Sequence, residues 1–212
     1  MSDSTKLIAI TGGIGSGKSI VSHILRNMGY DVYDCDSRAK QIMGENTQIK
    51  KHIFAEIACD AISFVENERD WESAEINRAA LSDIVFASQD KLNTLNGIVH
   101  EAVRHDIKRW YEEATQKDKR IIFVETAILY SSRLDCLVDN IWYVKSPLEL
   151  RISRVMSRDN TPPQKILERM NCQQIEEQML EKAIRTKRCR LINNDTNIPI
   201  LPQITQLLKG ND

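Results

Sequence analysis

Half of the glycines in this chain fall in one six-residue stretch. The sequence has 212 residues and only eight glycines, four of which lie within Gly12–Gly17. A short apolar run over residues 6–11 precedes this stretch, and apolar residues at helical spacing follow it over 20–28. A strand, a glycine-rich loop and a helix, with Lys18 and Ser19 completing the pattern G-x-x-x-x-G-K-S, form an arrangement that binds nucleotide phosphates. In it Lys18 supplies positive charge to the phosphates, and the Ser19 hydroxyl is suited to ligate Mg²⁺.

Composition excludes several other classes of protein. Lys and Arg number 29 and Asp and Glu number 30, so the net charge of -1 argues against a protein that coats nucleic acid. No apolar run approaches the roughly 20 residues of a membrane span, and the first residues lack a signal-peptide pattern. The five scattered cysteines indicate reduced thiols in a cytoplasmic protein. A switch GTPase is excluded too, because no glycine has an aspartate three residues before it.

Two carboxylates follow the second predicted strand. Asp34 and Asp36 alternate along it, so both would lie on one side at the carboxyl end of the strand, where open α/β sheets bind ligands. From the residues alone, Asp36 has two interpretations. It accepts a proton from a substrate hydroxyl during phosphoryl transfer, or it caps the helix predicted over residues 37–43.

Together these segments resemble the dephospho-CoA kinase family. The most specific features are the loop Thr11–Ser19, which reads TGGIGSGKS, and the D-x-D motif of Asp34–Asp36. Weaker matches follow in the family's order as far as residue 195. They comprise residues 77–81, 84–86, 157–159, 168–169, Gln173 and 192–195.

The resemblance implies transfer of the γ-phosphoryl group of ATP to the 3′-hydroxyl of dephospho-CoA, with Mg²⁺ and in the cytoplasm. By position, Asp36 would be the base, with Lys18 and Arg158 as the other catalytic residues. The predicted ATP contacts are Gly13, Gly15, Ser16, Gly17, Lys18, Ser19, Ile20, Arg154, Arg158 and Asn194. The predicted acceptor contacts are Thr11, Asp36, Arg78, His100, Arg104 and Arg169.

Four positions in three segments depart from the family's usual pattern. Glu125, a predicted Mg²⁺ ligand together with Ser19, stands where the family has an aspartate, and Ala127 stands where it has a proline. Glu101 replaces the proline of a His-Pro pair, and Thr196 replaces a glycine. The longer side chain at Glu125 leaves open which water or metal contact it makes.

Local charge differs from the neutral total. Residues 151–190 carry ten Lys or Arg and five Asp or Glu, and Arg151, Arg154 and Arg158 share one helical face. We expect a lid with an unpaired row of guanidinium groups that stabilises the transferred phosphoryl group, although an ordinary solvated helix face has the same pattern. His100 and Arg104, one turn apart, are likewise either acceptor contacts or a solvated pair.

The fold predicted is a three-layer α/β P-loop kinase with a five-stranded parallel sheet, in which the family's order places the first and third strands side by side. Its parts are a nucleotide-binding core (1–45, 118–148 and 188–212), a helical acceptor-binding insertion (46–117) and a helical lid (149–187). Ser146 is predicted to start the first lid helix with a capping box. Two alternative functions remain, another nucleoside or nucleotide kinase and a non-catalytic ATP-binding regulator. The oligomeric state is not readable from the sequence.

Overall fold

The computed structural model describes residues 5–64, 70–186 and 188–210. Within them the strands are β1 (Lys6–Thr11), β2 (Val32–Asp34), β3 (Ile62–Ser63), β4 (Glu75–Ile76), β5 (Ile121–Glu125), β6 (Asn140–Lys145) and β7 (Cys189–Asn193). The helices are α1 (Lys18–Asn27), α2 (Cys35–Glu45), α3 (Thr47–His52), α4 (Arg78–Phe86), α5 (Gln89–Gln116), α6 (Leu148–Asp159), α7 (Pro163–Asn171), α8 (Gln174–Arg185) and α9 (Ile200–Lys209). The chain forms two compact units, of which one runs up to Asp34 and resumes at Tyr111, and the other is Cys35–Trp110.

The first unit contains a five-stranded sheet in the order β2-β5-β1-β6-β7. All four neighbouring pairs are parallel. This confirms the predicted parallel sheet and the adjacency of the first and third predicted strands, which are β1 and β5. Because the strands are parallel, their carboxyl ends share one edge, and this edge holds the glycine-rich loop, Asp34 and Glu125.

The core of the first unit explains the apolar runs in the sequence. Every residue of β1 after Lys6 is buried, as expected of a central parallel strand covered on both faces. The ring centroids of Phe123 on β5 and Trp142 on β6 lie 5.0 Å apart. The main cluster joins the sheet to α1 and α9 through Ile8, Ile10, Val21, Leu25, Ile121, Phe123, Trp142, Val144, Ile192, Ile204 and Leu208.

Helices α6 and α7 contribute a smaller apolar cluster. Val155, Ile166 and Met170 are buried in it, and Ile14 of the glycine-rich loop packs against them. The loop is therefore packed on the helices of the predicted lid as well as joined to the sheet.

The second unit is mainly helical but contains a short antiparallel pair, β3 and β4. The sequence predicted helices and loops here, because strands of two residues are too short to give an alternating pattern. In this unit Asp106 is buried and binds two arginines, Arg38 at 2.7 Å and Arg109 at 2.6 Å. Nothing in the described part of the chain has the length and apolarity of a membrane-spanning helix.

Two predicted helix starts differ from the structure. Helix α6 begins at Leu148, and no side chain caps it. The predicted capping box is wrong because the Ser146 hydroxyl accepts a hydrogen bond from Arg154 at 3.1 Å instead. Helix α2 begins at Cys35 and has Asp36 inside its first turn, so Asp36 is not the residue that precedes the helix, as a cap would be.

Candidate active site

The glycine-rich loop joins the end of β1 to the first residue of α1. Gly15 and Gly17 have φ angles of 76° and 93°, in the left-handed region that glycine adopts without a steric penalty. The Ser16 N–H donates to the Gly13 carbonyl at 3.1 Å and closes a turn inside the loop. The sequence prediction of a strand, a tight loop and a helix is confirmed.

Lys18 is the first residue of α1, and its ammonium group reaches back over the loop. Its Nζ donates to the carbonyl of Gly12 at 2.8 Å and to that of Gly13 at 3.3 Å. These contacts keep a positive charge beside backbone N–H groups at the positive end of a helix dipole. The arrangement favours binding of an anion.

Carboxylates lie at the same edge of the sheet. Glu125 ends β5 and is paired in register with Asp34, the last residue of β2. Burial raises the pKa of Glu125, the nearby charge of Asp34 raises it further, and the positive charge of Lys18 offsets part of the increase. Ser19, in the first turn of α1, is exposed. Sequence reasoning gave Asp34 no role, although its spacing from Asp36 had singled it out.

A hydrogen-bond network connects the loop to α6 and to the residue after β7. Arg154 donates to the Gly15 carbonyl at 3.4 Å and to Asn194 Oδ1 at 3.2 Å. Asn194 in turn donates through Nδ2 to the Ser16 carbonyl at 2.7 Å. The structure therefore brings together four of the predicted ATP contacts, and Asn194 is almost fully buried among them.

A second set of contacts holds the loop at Ile14, and the sequence analysis did not assign it. The Ile14 N–H donates to Gln173 Oε1 at 2.9 Å, and Arg151 Nε donates to the Ile14 carbonyl at 2.9 Å. Arg151 also forms an ion pair of 2.7 Å with Glu177. Gln173 belonged to the family resemblance and Arg151 to the cationic face of the helix, but no local pattern marked Glu177.

The arginines of α6 do not form the expected unpaired row. Arg151 is buried and paired with Glu177, whereas Arg158 is exposed and donates to Asp159, the next residue, at 2.6 and 2.9 Å. This contact raises the pKa of Arg158 and lowers that of Asp159. Arg169 lies 3.8 Å from the same carboxylate. In the part of the chain that the structure describes, neither Arg158 nor Arg169 forms a hydrogen bond or ion pair with the glycine-rich loop.

The remaining predicted residues lie in different settings. Thr11 is fully buried at the end of β1. Asp36 is exposed in the first turn of α2, and Arg78 begins α4 and donates to the Lys40 carbonyl at 3.0 Å. His100 and Arg104 are half-buried on α5, one turn apart. Of the other predicted ATP contacts, Gly13 lies within the loop. Ile20 lies in the first turn of α1 and is exposed.

A cavity of about 400 Å³ opens beside the Arg154 network, at the carboxyl ends of β6 and β7. Its walls combine apolar side chains with amide and charged groups. They are formed by Lys145, Ser146, Pro147, Leu148, Arg151, Asn193, Asp195 and Ile198. A planar, partly apolar ring system with polar edges suits such a lining.

Comparison with known proteins identifies the family. The sequence profile of dephospho-CoA kinase matches residues 6–199. The chain belongs to the dephospho-CoA kinase family. Curated dephospho-CoA kinases are similar over most of their length. The one from Bacteroides fragilis is 36% identical over 95% of this chain and 90% of its own, and the one from Porphyromonas gingivalis is 36% identical over 83% and 81%.

Solved structures support the fold of this family member. A crystal structure from Thermus thermophilus has a TM-score of 0.72 and 28% identity, and it covers 97% of this chain and 95% of its own. The dephospho-CoA kinase from Campylobacter jejuni has a TM-score of 0.66 and 23% identity, and it covers 97% and 98%. The predicted α/β fold is therefore confirmed.

Proposed function

We propose that this chain transfers the γ-phosphoryl group of ATP to the 3′-hydroxyl of dephospho-CoA, giving CoA and ADP. Membership of the dephospho-CoA kinase family over residues 6–199 carries this conclusion. The glycine-rich loop with Lys18 is the part of the structure that suits ATP. A different nucleoside or nucleotide kinase and a non-catalytic ATP-binding regulator are not favoured, because neither accounts for the family match over residues 6–199.

ATP binding would use the loop and the cavity beside it. The phosphates would lie over the N–H groups of residues 15–20, with Lys18 between the β- and γ-phosphates. The adenine would occupy the cavity of about 400 Å³. Arg154 and Asn194 hold the loop carbonyls from the side of that cavity, so they would link adenine binding to phosphate binding.

Phosphoryl transfer needs a base for the acceptor and positive charge for the transferred group. We assign the base to Asp36, because it lies two residues after the end of β2 and is exposed in the first turn of α2. Lys18 would offset the charge that develops on the γ-phosphate oxygens. Arg158 would contribute on the lid, and the acceptor would contact Arg78, His100, Arg104 and Arg169. Thr11 is fully buried, so we assign it no side-chain contact with the acceptor.

Magnesium fits the oxygen donors at the carboxyl edge of the sheet. Among the described residues, no three His, Cys, Asp or Glu side chains cluster closely enough to hold a metal ion by themselves. Mg²⁺ commonly binds one or two carboxylates together with substrate phosphates and water, and Ser19, Glu125 and Asp34 offer such a partial set. The ion would neutralise phosphate charge, while these residues would hold it at the loop.

Within the described residues, which include all five cysteines, no disulfide bond is formed. Reduced thiols support the cytoplasm as the proposed location.

The deciding experiment incubates the purified protein with ATP, Mg²⁺ and dephospho-CoA and follows CoA and ADP by mass spectrometry. Equal amounts of both products are expected. Parallel reactions contain nucleosides, nucleotides or no acceptor. Turnover of these acceptors alone would indicate another kinase, and ATP binding without any turnover would indicate a regulator.

Glu125→Gln is expected to raise the Mg²⁺ concentration for half-maximal activity by about tenfold, because it removes a negative charge from the metal site. Glu125→Asp, which restores the family's usual carboxylate, is the matched control and should stay near wild type.

The Mg²⁺ requirement of the wild-type protein should also depend on pH. Burial raises the pKa of Glu125, so as the pH falls this carboxylate is protonated at a higher pH than an exposed glutamate. Mg²⁺ activation should therefore weaken on the acid side. A Mg²⁺ titration at several pH values measures both effects. An unchanged Mg²⁺ requirement in Glu125→Gln would remove this residue from the metal site.

Arg154→Ala is expected to raise KM for ATP by about tenfold, because the Gly15 carbonyl and Asn194 Oδ1 both lose a charged donor. Arg158→Ala, one turn further along α6, should instead lower kcat and leave KM for ATP near wild type. Steady-state kinetics with ATP as the varied substrate separate the two variants. If Arg154→Ala changed only kcat, the assignment of Arg154 to ATP binding would be wrong.

A further inference from the structure

We propose that Arg151, Gln173 and Glu177 are positioning residues that fix the peptides on both sides of Ile14, and that residue 13 is a glycine in order to leave room for them. This inference rests on the proposed function only in that the loop binds nucleotide phosphates. It assigns a role to three side chains for which no contact with substrate is required.

Both backbone polar groups of Ile14 are bound by side chains that lie far along the chain. The Ile14 N–H donates to Gln173 Oε1 at 2.9 Å, and the Ile14 carbonyl accepts from Arg151 Nε at 2.9 Å. The Ile14 side chain packs on the small apolar cluster of α6 and α7. One loop residue is therefore held through its N–H, its carbonyl and its side chain at once.

The ion pair with Glu177 fixes the direction in which Arg151 points. Arg151 Nη1 donates to Glu177 Oε1 at 2.7 Å, and only 10% of the Arg151 side chain is exposed. Within the described residues, Nη2 of the same guanidinium is buried without a hydrogen-bond partner, and it lies against Gly13. A planar guanidinium with two of its nitrogens bound in this way has little freedom to rotate.

Position 13 requires glycine for a different reason from positions 12, 15 and 17. Gly12, Gly15 and Gly17 have positive φ angles, whereas Gly13 does not, so a positive φ does not account for the glycine at position 13. A Cβ at Gly13 would overlap the Arg151 guanidinium and lie 2.7 Å from Glu177 Oε1. At position 13, then, the need for glycine comes from the arginine and glutamate beside it.

This arrangement bears on catalysis through the orientation of the loop peptides. Phosphates are bound by backbone N–H groups, and small errors in the direction of such donors reduce binding and rate. The side chains that bind the N–H and carbonyl of Ile14 keep the N–H donors of the loop aligned before the nucleotide binds. Loss of these contacts should weaken nucleotide binding and leave acceptor binding unchanged.

A double-mutant cycle tests the relation between positions 13 and 151. The variants are Gly13→Ala, Arg151→Ala and the double variant, and calorimetry measures the Kd of ADP for each. Gly13→Ala alone should weaken ADP binding by about tenfold or more, because the new Cβ displaces the guanidinium. In the Arg151→Ala background the same change should cost less than about twofold. If the double variant raised the Kd of ADP by the product of the two single effects, positions 13 and 151 would not be coupled and the inference would be wrong.

Gln173 gives a second test that does not depend on the fold tolerating Arg151→Ala. Gln173→Met removes the oxygen that accepts from Ile14, whereas Gln173→Glu keeps an acceptor oxygen. We expect Gln173→Met to raise the Kd of ADP and KM for ATP by about fivefold to tenfold, with the acceptor KM within about twofold. Gln173→Glu should recover most of the loss. Equal losses in both variants would show that Gln173 acts only by packing.

Arg185→Ala is the matched control, since Arg185 is an exposed arginine at the end of α8, and its Kd for ADP should equal that of wild type. ADP binding involves no acceptor, so the outcomes are separable. A wild-type protein that fails to phosphorylate dephospho-CoA but shows the Gly13–Arg151 coupling would refute the proposed function alone. A protein that makes CoA without that coupling would refute the positioning role alone.

Discussion

Asp36→Asn is expected to lower kcat by at least about 100-fold while KM for ATP stays within about twofold. A general base in proton transfer contributes about 10²–10⁴ to the rate, and asparagine keeps the size of the side chain but cannot accept the proton of the acceptor hydroxyl. Because Asp36 is exposed in the first turn of α2, the substitution should leave folding unaffected. The loss would therefore belong to the chemical step.

Kinetics with each substrate varied in turn, together with a thermal melt, measure this effect. Asp83→Asn is a suitable control, because Asp83 is an exposed aspartate within α4 to which we assign no role. Asp34→Asn provides a comparison at the neighbouring carboxylate and should affect the Mg²⁺ requirement more than the rate at saturating Mg²⁺. Wild-type turnover by Asp36→Asn would assign the base to another residue.

Lys18→Ala is expected to reduce kcat/KM for ATP by about 100-fold to 1,000-fold. Removing one preorganised donor that stabilises a developing negative charge has an effect of this size. The ammonium group is held by the Gly12 and Gly13 carbonyls, so it is already in place beside the loop. Part of the loss should appear in kcat, because charge on the γ-phosphoryl oxygens grows toward the transition state.

The control for this variant is Lys165→Ala, which removes an exposed lysine from α7 and should be silent. ADP binding measured by calorimetry separates ground-state from transition-state effects. Lys18→Ala with normal ADP affinity and a low kcat would assign the lysine to the transition state. Unchanged kcat/KM would contradict the identification of the loop as an ATP site.

The parts of this molecule that local patterns specify were predictable. The buried run of β1, the glycine pattern and the amphipathic α1 follow one another in the sequence, and each has a physical requirement that residue type reveals. Lys18 could be placed beside the loop for the same reason, whereas the role of Asp36 as the base stays a prediction. The positive φ angles of Gly15 and Gly17 agree with what a tight phosphate-binding turn demands.

Features that depend on contacts between distant segments were missed. Arg151 and Glu177 lie on different helices, so neither residue predicts the other. Ser146 satisfies the sequence rule for a helix cap, but Arg154 takes its hydroxyl, and a tertiary contact overrides a local preference. One contact between neighbouring residues was also missed. Arg158 fits the regular spacing of the cationic face of α6, but the adjacent Asp159 binds it at 2.6 Å.

The packing of Ile14 on α6 and α7 limits how far these helices can move from the glycine-rich loop. Separation of α6 and α7 from the glycine-rich loop would expose the part of the Ile14 side chain that packs on Val155, Ile166 and Met170. Fully burying an aliphatic side chain contributes about 1.5–3 kcal/mol, and the contact of Ile14, which is partly buried, contributes less than this. Helices α6 and α7 are therefore tied to the loop through Ile14, so a displacement of either helix would also displace the loop peptides beside it.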